Sequence, residues 1–533
     1  MLDLAPIKSR VNPNSESFRS NYVEMQAELE TLSERLQGSK FQGKEKAIEK
    51  ARKEDKFLAR ERIEFLLDQD SPFLELCPLA EMDKKGFGPG GTMVAGIGLV
   101  SGNLCMINAN VGTNKGGAID YTTLQKALRM NEIAWENDLP VISLVESAGA
   151  NLPEQAKIFN YGGINFREIS RRSKKGLVTI SVVFGNSTAG GAYIPGMSDY
   201  AIFVKNKAKV FLAGPPLVKM ATNEVVDEES LGGADMHSKV SGVSDYLAKD
   251  ELDGIRLARE IMEIIKYPQT SEKSEAEEPK YSIDEILGII STDLKKSFDS
   301  REIIARITDG SHFHEFKKDY GNTLVTGWAE IHGFKVGIIA NNGVIFSEAA
   351  NKGAHFIQLC NQNDTPLIFL QNTTGFMVGK KYEEQGMIKH GAKLVNAVSN
   401  STVPAITIMI GASYGAGNYA MCGRAYEPRF LFSWPNSKIA VMGSEQLAGV
   451  MAIIQRQQVE KAGGKMDKEG AEQMRQYLIA EVDKQSNAYF ATSQLWDDGI
   501  IDPRETRNVL GFCLEVVYNT PVKGTKEFGI FRM

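Results

Sequence analysis

The sequence predicts an α/β fold made of two tandem domains related by internal duplication, with a helical extension at the N-terminus. Two observations predict the tandem α/β domains. From Thr92 onward, short runs rich in Val, Ile and Ala are broken by glycine clusters and alternate with helix-periodic segments, which is the pattern of an α/β protein. The same motifs then recur in the same order in the second half of the chain, which indicates duplication.

The helical extension is predicted from two charged segments that precede the first strand. Residues 22–36 (YVEMQAELETLSERL) and 44–67 (KEKAIEKARKEDKFLARERIEFLL) place apolar residues three or four positions apart among Glu, Lys and Arg. This spacing predicts amphipathic helices whose charged faces are solvated.

The duplication can be followed through aligned pairs of segments. They are 92–102 (TMVAGIGLVSG) with 323–333 (TLVTGWAEIHG), 139–149 (LPVISLVESAG) with 365–375 (TPLIFLQNTTG), and Gly190-Gly191 with Ala416-Gly417. The offset is 231 residues for the first pair and 226 for the other two. Several matches in order with small gaps predict two domains of one fold.

A linker is predicted between the two halves. Residues 268–280 (PQTSEKSEAEEPK) contain no bulky apolar side chain and are dense in charge. We therefore divide the chain into four parts: an N-terminal tail (1–21), an N-terminal domain (22–267), a linker (268–283) and a C-terminal domain (284–533).

Composition argues against several classes of protein. The 533 residues carry a net charge of −6, which disfavours nucleic-acid binding through bulk positive charge. Five cysteines without a Cys-x-x-Cys pair, and six histidines without His-Glu-x-x-His, predict no disulfide framework, no metal site and a reducing compartment. No apolar run approaches the roughly 18 residues of a membrane span, and the first residues lack a signal-peptide core. We expect a cytoplasmic protein.

Each half contains a predicted strand that runs into a turn of small residues. The two segments are 179–196 (TISVVFGNSTAGGAYIPG) and 405–423 (AITIMIGASYGAGNYAMCG). Small residues let the backbone approach a ligand closely, and a helix that follows directs free N–H groups at it. Such donors stabilise a developing oxyanion. Two oxyanion sites predict a reaction in which two partners each carry a carbonyl or enolate oxygen.

Other interpretations of the turns are open. The glycines could simply allow tight helix–strand packing. Neither turn has the Gly-x-x-x-x-Gly-Lys-Ser/Thr pattern of a phosphate loop, and GNSTAG at 185–190 is not a hydrolase elbow. A hydratase or isomerase would need one oxyanion site and a positioned carboxylate base, and a non-enzymatic scaffold would need neither turn.

Long motifs along most of the chain identify a family resemblance. They include ARERIEFLLDQDSPFLEL (59–76), STAGGAYIPGMSDY (187–200), NNGVIFSEAANKGAHFIQLC (341–360), FLQNTTGFMVGKKYE (369–383) and GASYGAGNYAMCGRAYEPRFLFSWPN (411–436). From about residue 22 to 533 the sequence resembles the carboxyltransferase β subunits of biotin-dependent acyl-CoA carboxylases. The versions at 369–383 and 411–436 are similar to the methylcrotonyl-CoA and geranyl-CoA branch.

The resemblance implies the fold and the site. It implies two crotonase-like (ClpP/crotonase) domains and a homohexamer, the core of an α6β6 assembly. The amides near Gly190 and Gly191 would hold the thioester oxyanion of the acyl-CoA, and those near Ala416 and Gly417 the ureido oxygen of biotin. The further substrate- and cofactor-binding residues that it implies are Ala150, Ala189, Tyr193, Gly375, Phe376, Gly415 and Asn418.

The resemblance also implies a partner. The chain has no Ala/Val-Met-Lys-Met biotinylation site, so biotin would come from an α subunit that carries biotin carboxylase and biotin carboxyl carrier domains. Carboxybiotin would pass its carboxyl group to an acyl-CoA, with a 3-methylcrotonyl-type substrate favoured. Geranyl-CoA, propionyl-CoA and other acyl-CoAs stay open at this point, as does a biotin-dependent decarboxylase.

Overall fold

The computed structural model describes residues 6–82, 87–265, 267, 273–463 and 468–531. They form two compact units. The N-terminal unit contains residues 34–269 and Ser493–Leu495, and the C-terminal unit contains residues 1–33, 270–492 and 496–533, each as far as it is described. Residues 1–5 of the predicted tail and 268–272 of the predicted linker lie outside the described residues.

The predicted helical extension is confirmed, but the predicted segment 44–67 forms two helices separated by residues 54–58, and its charges are not all solvated, because Arg62 is buried in ion pairs. The extension consists of α1 (Glu16–Ser39), α2 (Glu45–Lys53) and α3 (Ala59–Leu66). Helix α2 has Glu45 in its first turn and three basic residues in its last turn, an arrangement that favours the helix dipole. At the start of α3, the Leu58 N–H donates to Glu61 Oε2 at 2.8 Å and so satisfies one of the free amides at the helix end.

The N-terminal unit is built on one mixed sheet. Its strands are β1 (Phe73–Glu75), β2 (Met93–Val100), β3 (Asn103–Asn110), β4 (Val141–Ser147), β5 (Thr179–Thr188), β6 (Tyr200–Val204), β7 (Lys209–Phe211) and β8 (Tyr246–Ala248). Within the described residues the strand order is β1-β2-β3-β4-β5-β6-β8, and β7 pairs with the end of β5. Strands β2 and β3 form an antiparallel hairpin, whereas β3 to β6 run parallel.

The C-terminal unit repeats this arrangement. Its strands are β9 (His314–Glu315), β10 (Leu324–Ile331), β11 (Phe334–Asn341), β12 (Leu367–Thr373), β13 (Ala405–Tyr414), β14 (Phe430–Ser433) and β15 (Lys438–Ala440). In the described part of the unit the order is β14-β13-β12-β11-β10-β9, and β15 pairs with β13. A β10–β11 hairpin is followed by parallel β12, β13 and β14. The predicted pair of α/β domains is therefore confirmed.

Helices cover the sheets. The remaining helices are α4 (Tyr121–Glu136), α5 (Gln155–Lys175), α6 (Tyr193–Met197), α7 (Pro215–Thr222), α8 (Glu228–Gly232), α9 (Ala234–Met236), α10 (Glu251–Ile265), α11 (Ile286–Ile289), α12 (Ser300–Ile307), α13 (Ser347–Gln362), α14 (Lys380–Glu384), α15 (Met387–Asn400), α16 (Ala416–Ala420), α17 (Ser444–Lys461), α18 (Lys468–Ser486), α19 (Ala488–Ser493) and α20 (Thr506–Val517). A search of the described residues finds no helix with the length and apolar character needed to cross a membrane.

The central parallel strands form the cores of the two units. Strand β5 is buried from Thr179 through Gly185, because neighbouring elements cover both faces of the sheet. This burial explains its nearly continuous apolar sequence. Strand β13 is likewise buried from Ile406 through Ser413. Each of these strands ends where its core ends, and the small-residue turn follows at the edge of the sheet.

Candidate active site at two equivalent turns

The carboxyl ends of two parallel strands bring the parts of the N-terminal turn together. Strand β4 ends at Ser147, which pairs with Ser187 near the end of β5. The chain after β4 then passes close to β5: a β-carbon built on Gly149 would lie 2.9 Å from the Thr188 carbonyl oxygen. Crevices at the carboxyl ends of parallel strands are the usual ligand sites of α/β sheets.

The predicted residues Ala189, Gly190 and Gly191 lie in this turn. Ala189–Ala192 form one turn of 3-10 helix, which continues into α6. Ala189 and Gly190 are exposed and Gly191 is buried. The Ser187 hydroxyl donates to the Gly191 carbonyl oxygen at 2.9 Å and so fixes the turn from below. The exposed backbone can therefore reach a ligand while its support stays buried.

Two other predicted residues border the same turn. Tyr193 is 46% exposed, and its ring packs against Phe166 with the ring centroids 5.5 Å apart. Ala150 is exposed and pairs with Ile119 in a parallel bridge. A cavity of about 990 Å³ opens beside the turn, and Ala148 and Asn186 contribute to its lining.

The C-terminal turn has the same construction with tighter contacts. Thr373 at the end of β12 pairs with Ser413 of β13. A β-carbon on Gly417 would lie 2.8 Å from Thr373 Cγ2 and 2.9 Å from Gly375 Cα, so only glycine fits there. Gly415 has φ 55° and ψ −145°, a conformation that is essentially restricted to glycine. The sequence-predicted residues Gly375, Gly415 and Gly417 thus meet in one place.

The remaining predicted residues of this half differ in exposure. Ala416 is exposed, and it is the first residue of α16, with Gly417 second. The N–H groups of the first residues of a helix have no hydrogen-bond acceptor within the helix. Phe376 is half-buried and forms a parallel bridge with Ile345. Asn418 is buried, and its side chain turns inward.

A buried polar cluster under the C-terminal turn joins the predicted residue Asn418 to Ser413 and Gln371, which the sequence did not predict. The Ser413 hydroxyl donates to Gln371 Oε1 at 2.6 Å and accepts from Asn418 Nδ2 at 2.8 Å. Gln371 Nε2 donates to the Met421 carbonyl oxygen at 2.6 Å. Residues 411–415 (GASYG) do match the Gly-x-Ser-x-Gly pattern. Ser413 is fully buried, however, so it supports the turn instead of presenting a nucleophile.

The two turns correspond residue by residue at an offset of 226. The bridge between Ile119 and Ala150 has its counterpart between Ile345 and Phe376. The Gly149 N–H donates to the Ser147 hydroxyl oxygen at 3.1 Å, and the Gly375 N–H donates to Thr373 Oγ1 at the same distance. The chemistry offered by both turns is a set of backbone donors on a rigid support, which suits an oxyanion.

The two turns differ in the ionisable side chains that lie beside them. In the N-terminal unit, Glu146 of β4 is ion-paired with Arg62 and Lys56. Burial alone would raise the pKa of Glu146, but these two cations hold it below its ordinary value. Beside the C-terminal turn, burial raises the pKa of the Tyr414 phenol above its ordinary value. The described residues contain no cluster of three or more His, Cys, Asp or Glu suited to a metal ion.

Comparison with known proteins places the chain in a family. The model of the carboxyl transferase domain matches residues 50–531. A chain of Mycobacterium tuberculosis, described as a probable biotin-dependent acyl-coenzyme A carboxylase beta2 subunit, is 52% identical over 529 residues, covering 99% of this chain and 100% of that one. The mitochondrial methylcrotonoyl-CoA carboxylase beta chain of Dictyostelium discoideum is 47% identical, with 98% and 90% coverage.

A solved structure agrees with the sequence matches. The crystal structure of the P. aeruginosa geranyl-CoA carboxylase beta subunit superposes with a TM-score of 0.90 at 44% identity and covers 99% of both chains. Fold and matches together define an enzyme of the carboxyltransferase class. The chain belongs to the carboxyl transferase domain family, and the predicted class is confirmed.

Proposed function

We propose that this chain is the carboxyltransferase subunit of a biotin-dependent acyl-CoA carboxylase, and that its substrate is a branched unsaturated acyl-CoA of the 3-methylcrotonyl type. The observation that carries the proposal is the pair of equivalent turns, one in each unit. The relatives support the substrate class: methylcrotonoyl-CoA carboxylase beta chains of Dictyostelium discoideum and Arabidopsis thaliana are 47% and 48% identical to this chain.

The N-terminal turn receives the acyl-CoA. The amides near Gly190 and Gly191 donate to the thioester oxygen as it gains negative charge, while Ala150, Ala189 and Tyr193 border the acyl group. The exposed backbone at Ala189 and Gly190 supports this assignment. One such preorganised donor contributes about 3–4 kcal/mol to transition-state stabilisation. The turn therefore favours loss of a proton from the acyl group by stabilising the enolate.

The C-terminal turn fits the ureido group of biotin. Gly415 and Gly417 leave a cradle that a β-carbon would fill, and Ala416 is exposed at its edge. The amides of Ala416 and Gly417 hold the ureido oxygen, while Gly375, Phe376, Gly415 and Asn418 shape and support the cradle. When bound, biotin supplies the carboxyl group and the base. The residues of this chain hold the two reactants together, and such positioning provides a large part of any rate enhancement.

The partner and assembly follow from the same proposal. Biotin arrives on an α subunit with biotin carboxylase and carboxyl carrier domains. The chain assembles as a homohexamer, the core of an α6β6 complex in which each site combines turns from two subunits. A cytoplasmic location completes the proposal, although the Dictyostelium relative is described as mitochondrial.

Transfer in the reverse direction tests the proposal without the partner. The purified chain is mixed with free biotin and, in separate reactions, methylglutaconyl-CoA, carboxygeranyl-CoA, methylmalonyl-CoA and malonyl-CoA, and loss of the carboxyl group is followed. We expect biotin-dependent loss that is fastest with methylglutaconyl-CoA. A preference for another thioester would contradict the proposed acyl class and indicate a different one. If none of the four lost its carboxyl group in a biotin-dependent way, the proposed function would be contradicted.

A further inference from the structure

An ion network lies beside the N-terminal turn, with Arg62 and Glu251 buried and with Glu146 and Lys56 half-buried at the wall of the cavity. Arg62 Nη1 donates to Glu146 Oε2 at 2.7 Å, and Lys56 Nζ donates to Glu146 Oε1 at 3.0 Å. Arg62 also donates through Nε and Nη2 to the two carboxylate oxygens of Glu251, at 2.9 and 3.1 Å. Arg62 is only 1% exposed. An ion pair therefore connects helix α3 of the extension to the end of β4.

Glu146 occupies a structurally special position in β4. The register between β4 and β5 shifts between Val145 and Ser147: Glu146 alone lies opposite residues 184–186, so the extra residues of this bulge are on β5. Its side chain fills a slot bordered by two glycines: a β-carbon on Gly112 or Gly185 would come within 2.5 or 2.7 Å of its side-chain atoms. The glycines make room for the carboxylate where the strand turns toward Gly149.

In the C-terminal half, a neutral side chain occupies the position equivalent to Glu146. Asn372 is likewise the single residue between Gln371 and Thr373 of β12, and it lies opposite residues 410–412 of β13. Its Oδ1 accepts directly from the Ala412 N–H of β13 at 3.1 Å, and Gly411 leaves room for it. The residue opposite the bulge is thus held by a neutral bond to the bulged strand in one half and by an ion network anchored on α3 in the other.

From this difference we infer that Glu146 and Arg62 are positioning residues of the N-terminal turn. The Arg62–Glu146 ion pair holds Glu146 opposite the bulge of β5, and this position sets the direction of the chain toward Gly149 and Ala150 and the pairing of Ser147 with Ser187. The amide donors of the turn keep their direction only while this pair is intact. The inference rests on the proposed function, in which this turn receives the acyl group.

The test compares three variants of the full chain in the transfer from methylglutaconyl-CoA to free biotin. Glu146→Gln keeps the shape of the side chain and removes its charge, whereas Glu146→Asp keeps the charge. Removing Arg62 would leave two buried carboxylates poorly paired and could prevent folding, so it is avoided. The matched control is Arg60→Met, because Arg60 lies on the same helix and makes an equivalent two-bond pair with Glu75, at 2.7 and 2.8 Å.

We expect Glu146→Gln to lower kcat by about 100-fold, the loss typical of a misplacement near 1 Å, with KM for the acyl-CoA changed by less than about threefold. Glu146→Asp restores most of kcat, and Arg60→Met keeps it. A merely structural role would lower the unfolding temperature of Glu146→Gln while leaving kcat per folded site unchanged, which would overturn the inference alone. A wild-type chain without any transfer would overturn the proposed function as well.

Discussion

Ala189 and Gly415, 226 residues apart in the chain, share a φ of 55° at the same point of the two turns. For alanine this left-handed conformation costs about 1–2 kcal/mol, yet the N-terminal half keeps it. Both halves adopt this conformation, although only one of them has glycine, the residue that favours it. The turn itself therefore requires the conformation. It is the step at which each buried strand ends and the exposed backbone begins.

The first prediction concerns this step in the C-terminal half. Gly415→Ala should lower the free energy of unfolding by about 1–3 kcal/mol, because its φ and ψ belong to the region reserved for glycine and its β-carbon would lie 3.0 Å from the Val441 carbonyl oxygen. Urea unfolding of both proteins measures the difference. The control is Ala189→Gly, which removes a β-carbon at the equivalent position and should not destabilise the chain. Equal stability of Gly415→Ala and wild type would contradict the prediction.

A second prediction contrasts Gly417 with Gly191. A β-carbon on Gly417 meets the Gly375 backbone at 2.9 Å, whereas one on Gly191 meets only the Ser187 hydroxyl at 3.5 Å, an ordinary contact. Gly417→Ala should therefore cost about 1–3 kcal/mol of stability through overpacking, and Gly191→Ala should unfold at the wild-type temperature. Calorimetry on the two variants checks this, and a Gly191→Ala variant as unstable as Gly417→Ala would refute it.

A third prediction concerns the fully buried Lys352 of α13. Its Nζ has no hydrogen-bond partner among the described residues, and burial lowers its pKa to about 8. The unfolded chain, whose lysine has an ordinary pKa of 10.5, binds more protons between pH 8 and 10.5. Stability contributed by this group therefore rises with pH across that window.

Replacing Lys352 with methionine removes both the cost of burying the amine and the pH dependence of stability that this group causes. Lys352→Met should raise the free energy of unfolding at pH 7 by about 1–3 kcal/mol, because no buried amine has to be desolvated. Denaturant unfolding at pH 7 and pH 10 measures the gain, which should shrink at pH 10. A loss of stability at pH 7, or a gain that grows with pH, would show that Lys352 has a favourable partner.

The fourth prediction concerns partners and assembly. Purified under native conditions from its own cells, the chain should co-purify with a biotinylated polypeptide, because the proposed reaction takes the carboxyl group from biotin carried by an α subunit. Light scattering of the isolated chain should give a mass near six times 58.6 kDa. An avidin blot without a biotinylated partner would contradict the α subunit, and a monomeric mass would contradict sites shared between subunits.

Local sequence patterns were enough to predict the strands, the turns and the duplication. Alternating apolar runs and glycine clusters are properties of short segments, and Gly191 and Gly417 could be aligned by counting residues. The contacts of Glu146 with Arg62 and Glu251 could not be predicted, because residues far apart in the chain meet only through the register of the sheet and the packing of α3. For the same reason the sequence did not show that Ser413 supports the turn from below or that residues 6–33 belong to the C-terminal unit.

In the proposed reaction the two turns hold different reactants. Gly190 and Ala416 occupy equivalent, exposed positions, so Gly190→Val and Ala416→Val place the same side chain in each turn. Transfer from methylglutaconyl-CoA to free biotin is measured while each reactant is varied in turn. We expect Gly190→Val to raise the KM for the acyl-CoA alone and Ala416→Val to raise the KM for biotin alone. Variants that affect the same reactant, or the opposite ones, would contradict this assignment.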